Sequence, residues 1–356
     1  MTPRPFVPGL ELSRALYTEA VAPTMDRLYP GVPYAAALIG SGSEVLGFDT
    51  EQSTDHDWGP RLLLFLREAD LAEYGADIAA AAHNALPEQI LGRTTSMATD
   101  NASEEREYHA VTVRAVGPYF LSILGIDPHG PLRPADWLTF TEQHLRSLTG
   151  GAVFHDGVGA ITRLREKLRY YPRDIWLYML AAQWRRIAQE EAFMGRCAQV
   201  GDELGSMLVT GRLVRDIMGL CFLMERVYAP YIKWLGTAFR ELDCGPRLGP
   251  ILLRALSSPD WRARERELSV AYETVADMHN GLGITDPLPT GVTGYHGRPY
   301  LVISADRFAD AIRVRITDPD VLALPKHLGS VDQFADSTDA VSMAAQFRSA
   351  YGPGAA

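Results

Sequence analysis

The sequence predicts an α+β fold, in which an N-terminal mixed sheet with flanking helices is followed by a C-terminal helical bundle. Three observations support this prediction. In the first 150 residues, short apolar runs of strand length alternate with loops and with one alanine-rich segment of helical period. From Gly157 to about Asp243, large apolar residues recur at spacings of three and four, as they do in packed helices. The chain of 356 residues is also long enough for two domains, each with its own core.

Three apolar runs in the first 150 residues are predicted strands: Ala35–Ile39, Leu62–Leu66 and His109–Val116. Each has the usual length of a strand in a globular protein. Between the second and the third, Glu68–Asn84 is rich in alanine and is predicted to be a helix. Residues 1–150 are therefore assigned to one domain of strands and helices.

The middle of the chain, residues 151–285, is predicted to be the helical bundle. The helical spacing is clearest for five side chains, Trp176, Met179, Leu180, Trp184 and Ile187. Residues 286–356 begin with closely spaced glycines and prolines, then continue with a strand-like run at Pro299–Ser304 and one or two helices from Asp306. Because this segment is short for an independent domain, we expect it to pack back on the bundle or the sheet, with a frayed end from Tyr351.

The net charge and the cysteine content argue against a nucleic-acid-coating protein, a disulfide scaffold and a zinc-binding protein. The 44 Asp and Glu residues outnumber the 34 Lys and Arg residues, and the net charge of −10 argues against a protein that coats nucleic acid through bulk charge. The three cysteines share no Cys-x-x-Cys spacing, so neither a disulfide scaffold nor a zinc cage is predicted. Without a signal peptide or an apolar run of about 18 residues, we expect a cytoplasmic protein with no membrane partner. The oligomeric state stays open.

A Gly-Ser pair and an Asp-x-Asp motif lie between the first two predicted strands. Gly40 and Ser41 follow the first strand, and Asp55 and Asp57 precede the second. In an extended segment, side chains at i and i+2 point to the same face, so the two carboxylates would lie side by side. Mg²⁺ relieves their repulsion, prefers oxygen ligands and keeps open positions for phosphate oxygens. Glycine allows close approach of the backbone to a ligand, and a serine hydroxyl with nearby N–H groups can hold a phosphate.

This order of strand, Gly-Ser, spacer, Asp-x-Asp and strand resembles the nucleotidyltransferase fold superfamily. That superfamily includes DNA polymerase β, kanamycin nucleotidyltransferase and the streptomycin and spectinomycin adenylyltransferases. The resemblance implies a nucleotidyltransferase-type sheet in which Gly40, Ser41 and Ser43 bind the phosphates of a nucleotide. It also implies that Asp55 and Asp57 are catalytic and bind Mg²⁺, either two ions or one.

The superfamily usually supplies a third carboxylate from a later central strand. The predicted strand His109–Val116 contains no acid, and Glu107, just before it, is the nearest candidate for this catalytic position. If no acid reaches the site, a single metal ion, weak catalysis or loss of catalysis are the alternatives. The absence of a third carboxylate would affect catalytic activity more than nucleotide binding.

The helical half carries a second resemblance. Its sequence from Leu148 to Phe239 resembles an uncharacterised helical domain found behind Gly-Ser/Asp-x-Asp domains in bacterial proteins. Its charged residues have two interpretations. They form ion pairs that fix the helix packing, or some of them face the metal site, as the helical domain does in the related antibiotic nucleotidyltransferases. In the second interpretation Lys233, Arg196 and Tyr231 bind the nucleotide, and Asp202 or Glu190 serves the acceptor as general base.

The absence of three motifs excludes hydrolases with a Gly-x-Ser-x-Gly nucleophile, P-loop enzymes and dinucleotide-dependent oxidoreductases. The sequence contains no Gly-x-Ser-x-Gly motif, no phosphate loop ending in Gly-Lys-Ser/Thr, and no Gly-x-Gly-x-x-Gly that opens a long βαβ unit. One His-Asp dipeptide, His155-Asp156, is predicted to be a turn and helix cap rather than a metal site.

The leading functional prediction is a Mg²⁺-dependent nucleotidyltransferase. It would transfer a nucleoside monophosphate, AMP from ATP or the equivalent from another nucleoside triphosphate, to a hydroxyl of a small molecule and release pyrophosphate. An aminoglycoside-like or natural-product acceptor is expected by analogy of fold, since an acidic protein suits a polar or cationic acceptor. One alternative is nucleotidylation of a protein or a tRNA, of which the net charge disfavours tRNA. Another is an inactive nucleotide-binding or interaction protein.

Overall fold

The computed structural model of the chain describes residues 5–55, 58–95, 110–337, 339, 341 and 343–352. They divide into two units. The first comprises Met1–Pro131 and His144–Arg169, and the second comprises Leu132–Gln143 and Tyr170–Ala356. The first contains a mixed four-stranded sheet and the second is mainly helical, so the predicted α+β fold class is confirmed.

The first unit contains the sheet and the helices around it. In chain order its strands are β1 (Tyr34–Leu38), β2 (Leu62–Leu66), β3 (Gln89–Ile90), β4 (Arg93–Thr94), β5 (Val111–Ala115) and β6 (Ala152–Asp156). Helices up to residue 169 are α1 (Gly9–Leu16), α2 (Ala22–Leu28), α3 (Ser43–Leu46), α4 (Glu68–Asn84), α5 (Val116–Leu124), α6 (Pro134–Thr139), α7 (Glu142–Thr149) and α8 (Ala160–Lys167). A π-helical turn at Tyr17–Val21 joins α1 to α2, and a 3₁₀ turn covers Glu51–Asp55. Of these helices, α6 belongs to the second unit, and the boundary between the units falls within α7.

The sheet has the strand order β5-β2-β1-β6. Strand β1 is antiparallel to β2 and to β6, whereas β2 and β5 are parallel. All five residues of β1 are buried, which is why its sequence is apolar throughout instead of alternating. One face of the sheet packs on α1 and α4 through a core that includes Leu12, Leu16, Leu64 and Ile78. Both β2 and α4 have the predicted bounds, and β1 begins one residue earlier than predicted.

Strand β6 was not predicted, and it lies beyond residue 150, where the sequence places the end of the first domain. It pairs with β1 at the edge of the sheet, so residues 151–169 belong to the first unit. All of its residues are partly exposed, and the sequence Ala-Val-Phe-His-Asp lacks the apolar run of a buried strand. Asp156 ends this strand rather than a turn. The predicted cap is present, because its carboxylate accepts the N–H groups of Gly159 (2.7 Å) and Thr162 (2.9 Å) at the start of α8.

The second unit is built from helices, as predicted. In chain order they are α9 (Arg173–Glu190), α10 (Phe193–Gln199), α11 (Glu203–Glu225), α12 (Ile232–Phe239), α13 (Gly245–Ser257), α14 (Trp261–Gly281), α15 (Asp306–Arg313), α16 (Pro319–Leu322) and α17 (Val331–Phe334). A 3₁₀ helix covers Ala344–Tyr351. Buried side chains lie on every side of α9, which packs against α11 and α15. Within the described ranges, no helix is long and apolar enough to cross a membrane.

The strand-like run Pro299–Ser304 forms only a short strand. Its paired part is β8 (Leu301–Val302), antiparallel to β7 (Thr293–Gly294). The strand stops there because the next N–H groups, those of Ile303 and Ser304, donate to the carboxylate of Glu191 instead of to a neighbouring strand. The chain then enters α15, where the sequence predicts a helix.

Candidate functional site

The Gly-Ser loop and the entry to β2 lie at the same edge of the sheet. In the antiparallel pair of β1 and β2, Ala37 is opposite Leu63, so the chain leaves β1 close to where Arg61 enters β2. The Leu62 N–H donates to the carbonyl of Ala110 at 2.7 Å, which brings the entry to β5 to this edge as well. The strand pairing therefore brings the Gly-Ser loop, the residue before β2 and the entry to β5 to one edge of the sheet.

Two glycines give the loop after β1 its shape. Gly40 has φ of +96° and Gly42 has φ of +135°, both in the region that disfavours other residues. A Cβ on Gly40 would overlap the hydroxyl of Tyr119, and one on Gly42 would overlap the guanidinium of Arg61. Ser41 is exposed between them. The loop therefore needs glycine for close packing against two side chains as well as for its backbone angles.

Tyr119, on α5, supports the start of this loop. Its hydroxyl donates to the carbonyl of Ile39 at 3.1 Å, and its ring packs edge-on against Phe65 with a centroid distance of 5.2 Å. Burial raises the pKa of Tyr119 to about 12, although the positive charges of Arg61 and Arg114 oppose the rise. The hydroxyl is therefore a neutral hydrogen-bond donor at physiological pH.

A buried ion pair joins the loop to β2. The Glu44 side chain is only 1% exposed, and its Oε1 accepts from Arg61 Nε at 2.6 Å and lies 2.5 Å from Nη2. Arg61 Nη2 also donates to the carbonyl of Ser41. Sequence reasoning missed this pair, because the two residues are 17 positions apart and only the pairing of β1 with β2 brings them together. The only sequence signal is a lone arginine directly before a run of leucines.

Asp49, a second acid between β1 and β2, also accepts hydrogen bonds from within the protein. Asp49 Oδ2 accepts the Gly9 N–H at 2.7 Å and the Trp58 Nε1–H at 2.9 Å, and Trp58 is buried. These bonds fix both ends of the segment that contains the 3₁₀ turn. Asp49 and Glu44 therefore each have a structural role.

The predicted catalytic acids fall mostly outside the described residues. Asp57 and Glu107 lie there entirely, as does the side chain of Asp55. The backbone of Asp55 ends the 3₁₀ turn, which is not the extended conformation on which the same-face argument depends. The shared face of the two carboxylates therefore stays a prediction. Glu107 stays one as well, and Thr112 and Arg114 are the polar residues of β5 itself.

The chemistry of the donor set indicates which residues could hold a metal ion. Among the residues that the structure describes, no group of three His, Cys, Asp or Glu side chains is placed to bind one. With Glu44 and Asp49 already bonded internally, the remaining acids between β1 and β2 are the exposed Glu51 and the two acids of the Asp-x-Asp motif, Asp55 and Asp57. Two aspartates supply the oxygen ligands that Mg²⁺ prefers, so the residue types fit this ion.

In the helical unit, the acids predicted to serve the acceptor have structural partners. Asp202 caps α11, where its carboxylate accepts the Gly205 N–H at 2.8 Å. Glu190 pairs with Arg212 at 2.5 Å, and burial raises the pKa of this carboxyl although the Arg212 charge opposes the rise. The Glu190–Arg212 pair fits the interpretation in which ion pairs fix the helix packing, and Asp202 serves as a helix cap.

The residues predicted to bind the nucleotide are exposed on the helical unit. The Lys233 ammonium lies 5.2 Å from the centre of the Trp234 ring, and the Arg196 guanidinium 5.5 Å from that of Phe193. Tyr231 precedes α12 and is 45% exposed. Exposed cations on aromatic rings are accessible to an anionic ligand, whereas the Glu190 side chain is only 17% exposed.

An internal polar network supports the ion-pair interpretation further. Asp216, on α11, accepts from Arg186 at 3.0 Å, and its backbone carbonyl accepts from Gln183 at 2.9 Å. Gln183 in turn accepts from Gln333 at 2.8 Å. The network crosslinks α9, α11 and α17, and its members are mostly buried.

Comparisons with known proteins give two matches. A family model described as a domain of unknown function, DUF4037, matches residues 137–235, in agreement with the resemblance of the helical half to an uncharacterised domain. A solved structure, that of a nucleotidyltransferase-like protein from Exiguobacterium sibiricum 255-15, matches with a TM-score of 0.32 and 11% sequence identity, over 77% of this chain and 78% of that chain. Comparison with curated proteins gives no match.

Proposed function

We propose that the chain is a Mg²⁺-dependent nucleotidyltransferase. It would transfer a nucleoside monophosphate, AMP from ATP in the simplest case, to a hydroxyl of a small polar or cationic acceptor and release pyrophosphate. The observation that supports this most is the strand pairing that brings the Gly40–Ser43 loop to the edge of the sheet at which the Asp-x-Asp segment enters β2. A loop suited to phosphates and a pair of acids suited to a cation would then meet at one place.

The residues of this edge have separate roles in the proposal. Gly40, Ser41 and Ser43 would bind the phosphates through backbone N–H groups and hydroxyls. Asp55 and Asp57 would hold Mg²⁺, which when bound supplies charge that offsets the phosphates and orients the attacking and leaving oxygens. The acceptor hydroxyl would attack the α-phosphorus in line with the pyrophosphate that leaves.

The helical unit contributes less to the proposal. Lys233, Arg196 and Tyr231 are the candidates for contact with the nucleotide, because they are exposed. Asp202 and Glu190 are weaker candidates for the general base. Asp202 already accepts a hydrogen bond at the start of α11, and Glu190 already pairs with Arg212 of α11.

The test is a thermal-unfolding scan with each of four nucleoside triphosphates, with and without Mg²⁺. A ligand at about 100 times its dissociation constant adds roughly 2.7 kcal/mol of stability, and each kcal/mol moves the midpoint of a domain of 150–250 residues by about 2–4 °C. We expect a shift that requires Mg²⁺ and is lost in the Asp55→Asn/Asp57→Asn variant. No shift with any triphosphate would refute the proposal.

A second candidate function is nucleotide binding without catalysis. The observation that favours it is that β5, the strand next to β2, carries Thr112 and Arg114 at its polar positions and no acid. This candidate predicts the same Mg²⁺-dependent thermal shift but no pyrophosphate release with any acceptor. A pyrophosphate assay over an acceptor panel, with mass spectrometry of small molecules, protein and tRNA, separates it from the transferase and identifies the class of acceptor.

A further inference from the structure

Arg61 lies between a buried carboxylate and the Gly-Ser loop. Its Nε and Nη2 bond to Glu44, and Nη2 also donates to the carbonyl of Ser41. The guanidinium is so close to Gly42 that a Cβ there would overlap Nη2. The positive charge of Arg61 is thus held against the loop to which the sequence assigns phosphate binding.

The hydrogen-bond donors of Arg61 are not all used. A guanidinium has five N–H groups, of which Arg61 uses one on Nε for Glu44 and at least one on Nη2 for the Ser41 carbonyl. Within the described part of the chain, no hydrogen bond is made by Nη1, and the side chain is 14% exposed. Two charge-assisted donors therefore stay available beside Ser41, on a side chain whose position is already fixed.

A second guanidinium adds to the positive charge at this edge. Arg114 is exposed and sits in β5 opposite Phe65, the residue on which Tyr119 packs. Its charge and that of Arg61 both lower the pKa of the Tyr119 hydroxyl against the larger effect of burial. Glu44 offsets one of the two cations, and Arg114 has no acidic partner among the described residues. A second cation without an acidic partner in the described ranges, next to the ordered Arg61, would attract the phosphate oxygens of an anionic ligand.

We infer that Arg61 binds the phosphate chain of the nucleoside triphosphate through Nη1, and that Glu44 is the positioning residue that holds it in place. This inference rests on the proposed function and names a ligand contact that the motif does not contain. Arginine suits this role because its planar fork binds phosphate oxygens in fixed directions, which a lysine ammonium does not reproduce. Because Glu44 already orders the side chain, little further conformational entropy is lost on binding.

The molecule offers a matched control on the same strand. Arg67 follows the other end of β2, and its Nε also donates to a carboxylate, Asp70, at 2.6 Å. It is more than half exposed and far from the Gly-Ser loop along the strand. Arg61→Gln and Arg67→Gln therefore remove the same charge and an Nε–carboxylate contact from the two ends of one strand, buried in the first case and exposed in the second, but only the first variant changes the proposed phosphate contact.

The experiment is isothermal titration calorimetry with two probes, the tightest-binding Mg²⁺–nucleoside triphosphate and Mg²⁺–tripolyphosphate. We expect Arg61→Gln to weaken the binding of both by about 10-fold to 100-fold, Arg61→Lys to recover part of the loss, and Arg67→Gln to change it less than twofold. Since Arg61→Gln leaves Glu44 buried and unpaired, the Glu44→Gln/Arg61→Gln variant provides a form with two neutral amides at these positions.

The role of Glu44 is tested by a double-mutant cycle. Glu44→Gln alone should weaken binding, and it should have no further effect when Arg61 is already Gln, because Glu44 acts only through Arg61. Equal affinities of wild type, Arg61→Gln and Arg67→Gln would overturn the inference. Arg61-dependent binding of tripolyphosphate without binding of any nucleoside triphosphate would refute the proposed function but keep Arg61 as a phosphate-binding residue. Binding of neither probe to wild type would overturn both.

Discussion

The carboxylate of Glu191, the residue that follows α9, accepts the backbone N–H of Ala305 at 3.1 Å, 114 residues further along the chain. It also accepts the N–H groups of Ile303 (2.8 Å) and Ser304 (3.0 Å), so one side chain satisfies the turn between β8 and α15. Glu191 is 7% exposed, and burial raises the pKa of its carboxyl to about 7, although the three N–H groups oppose the rise. The turn is therefore held by a group that titrates near neutral pH.

The raised pKa of Glu191 predicts a specific dependence of stability on pH. The folded-state pKa of about 7 lies above the ordinary value of 4.5, so the contribution to stability is complete below pH 4.5 and is lost as pH rises through 7. The difference amounts to about 3 kcal/mol at most, from roughly 1.4 kcal/mol per pKa unit. We expect the free energy of unfolding of wild type, relative to Glu191→Gln, to fall between pH 4.5 and 8 in urea denaturation.

The matched control for this titration is Glu225→Gln. Glu225 also accepts backbone N–H groups, those of Asp243 (2.7 Å) and Cys244 (2.9 Å), and it ends a helix as Glu191 follows one. A difference between wild type and Glu191→Gln that stays constant from pH 4.5 to 8 would show that Glu191 does not titrate in this range.

A second prediction concerns the packing of Gly40 against Tyr119. Gly40→Ala should destabilise the first unit by about 2–4 kcal/mol, because it combines a positive φ with overlap of the new Cβ and the Tyr119 hydroxyl. Gly47→Ala is the matched control, since Gly47 has φ of +76° but has nothing within 4 Å of a Cβ, and it should cost only about 1 kcal/mol. Urea denaturation measures both.

The contact itself is tested by combining Gly40→Ala with Tyr119→Phe. Removing the hydroxyl should reduce the cost of Gly40→Ala toward that of Gly47→Ala, because the phenol oxygen is the atom that a Cβ would overlap. If the two glycine variants cost the same in the wild-type background, the close approach is not important for stability.

The elements that the sequence predicts well are those in which burial and periodicity agree. Strand β2 is a run of leucines and one phenylalanine bounded by polar residues, and α4 is a long alanine-rich segment, so each has one plausible structure. Strand β6 escapes prediction because an edge strand with His155 and Asp156 is half-exposed and has no apolar run. Its place depends on pairing with β1, which is 114 or more residues earlier and leaves no local signal.

The candidate site is predicted only in part for a similar reason. Gly40 and Ser41 are recognisable because the chemistry of a phosphate loop is local to a few residues. The Glu44–Arg61 pair and the Tyr119 hydroxyl are brought to that loop by β1, β2 and α5, and the sequence does not encode their proximity in any spacing. Asp202 was predicted to act on the acceptor, and its capping of α11 follows the ordinary preference of aspartate for this position.

A third prediction concerns His279, which lies at the centre of the helical unit. The ring is fully buried against Trp184 and Phe308, with Nε2 3.0 Å from the Thr285 hydroxyl. Burial lowers the pKa of His279 to about 4, so its contribution to stability is present above pH 6.5 and is lost as pH falls through 4.

Titration of His279 lowers the stability of the fold as pH falls, whereas titration of Glu191 lowers it as pH rises. Wild type should lose up to about 3 kcal/mol relative to His279→Gln between pH 7 and pH 4. Urea denaturation at several pH values measures the difference, and NMR titration of the histidine ring protons reads the protonation of His279 directly. A His279 signal that titrates near pH 6.5 in the folded protein would contradict this prediction.

The last prediction separates binding from folding at Lys233. The side chain is exposed and lies over Trp234, so Lys233→Ala should change the free energy of unfolding by no more than about 0.5 kcal/mol. If Lys233 contacts the nucleotide, the same variant should weaken binding of the Mg²⁺–nucleoside triphosphate by about tenfold, the effect of one charge-assisted hydrogen bond.

Arg240→Ala is the control for Lys233→Ala, because Arg240 is an exposed cation at the other end of α12. Asp216→Ala is the contrasting case, since it should cost about 2–3 kcal/mol by breaking the buried polar contacts of Asp216 with Gln183 and the partly exposed Arg186. Equal nucleotide affinities of wild type, Lys233→Ala and Arg240→Ala would assign Lys233 to the surface of the helical unit and remove it from the proposed site.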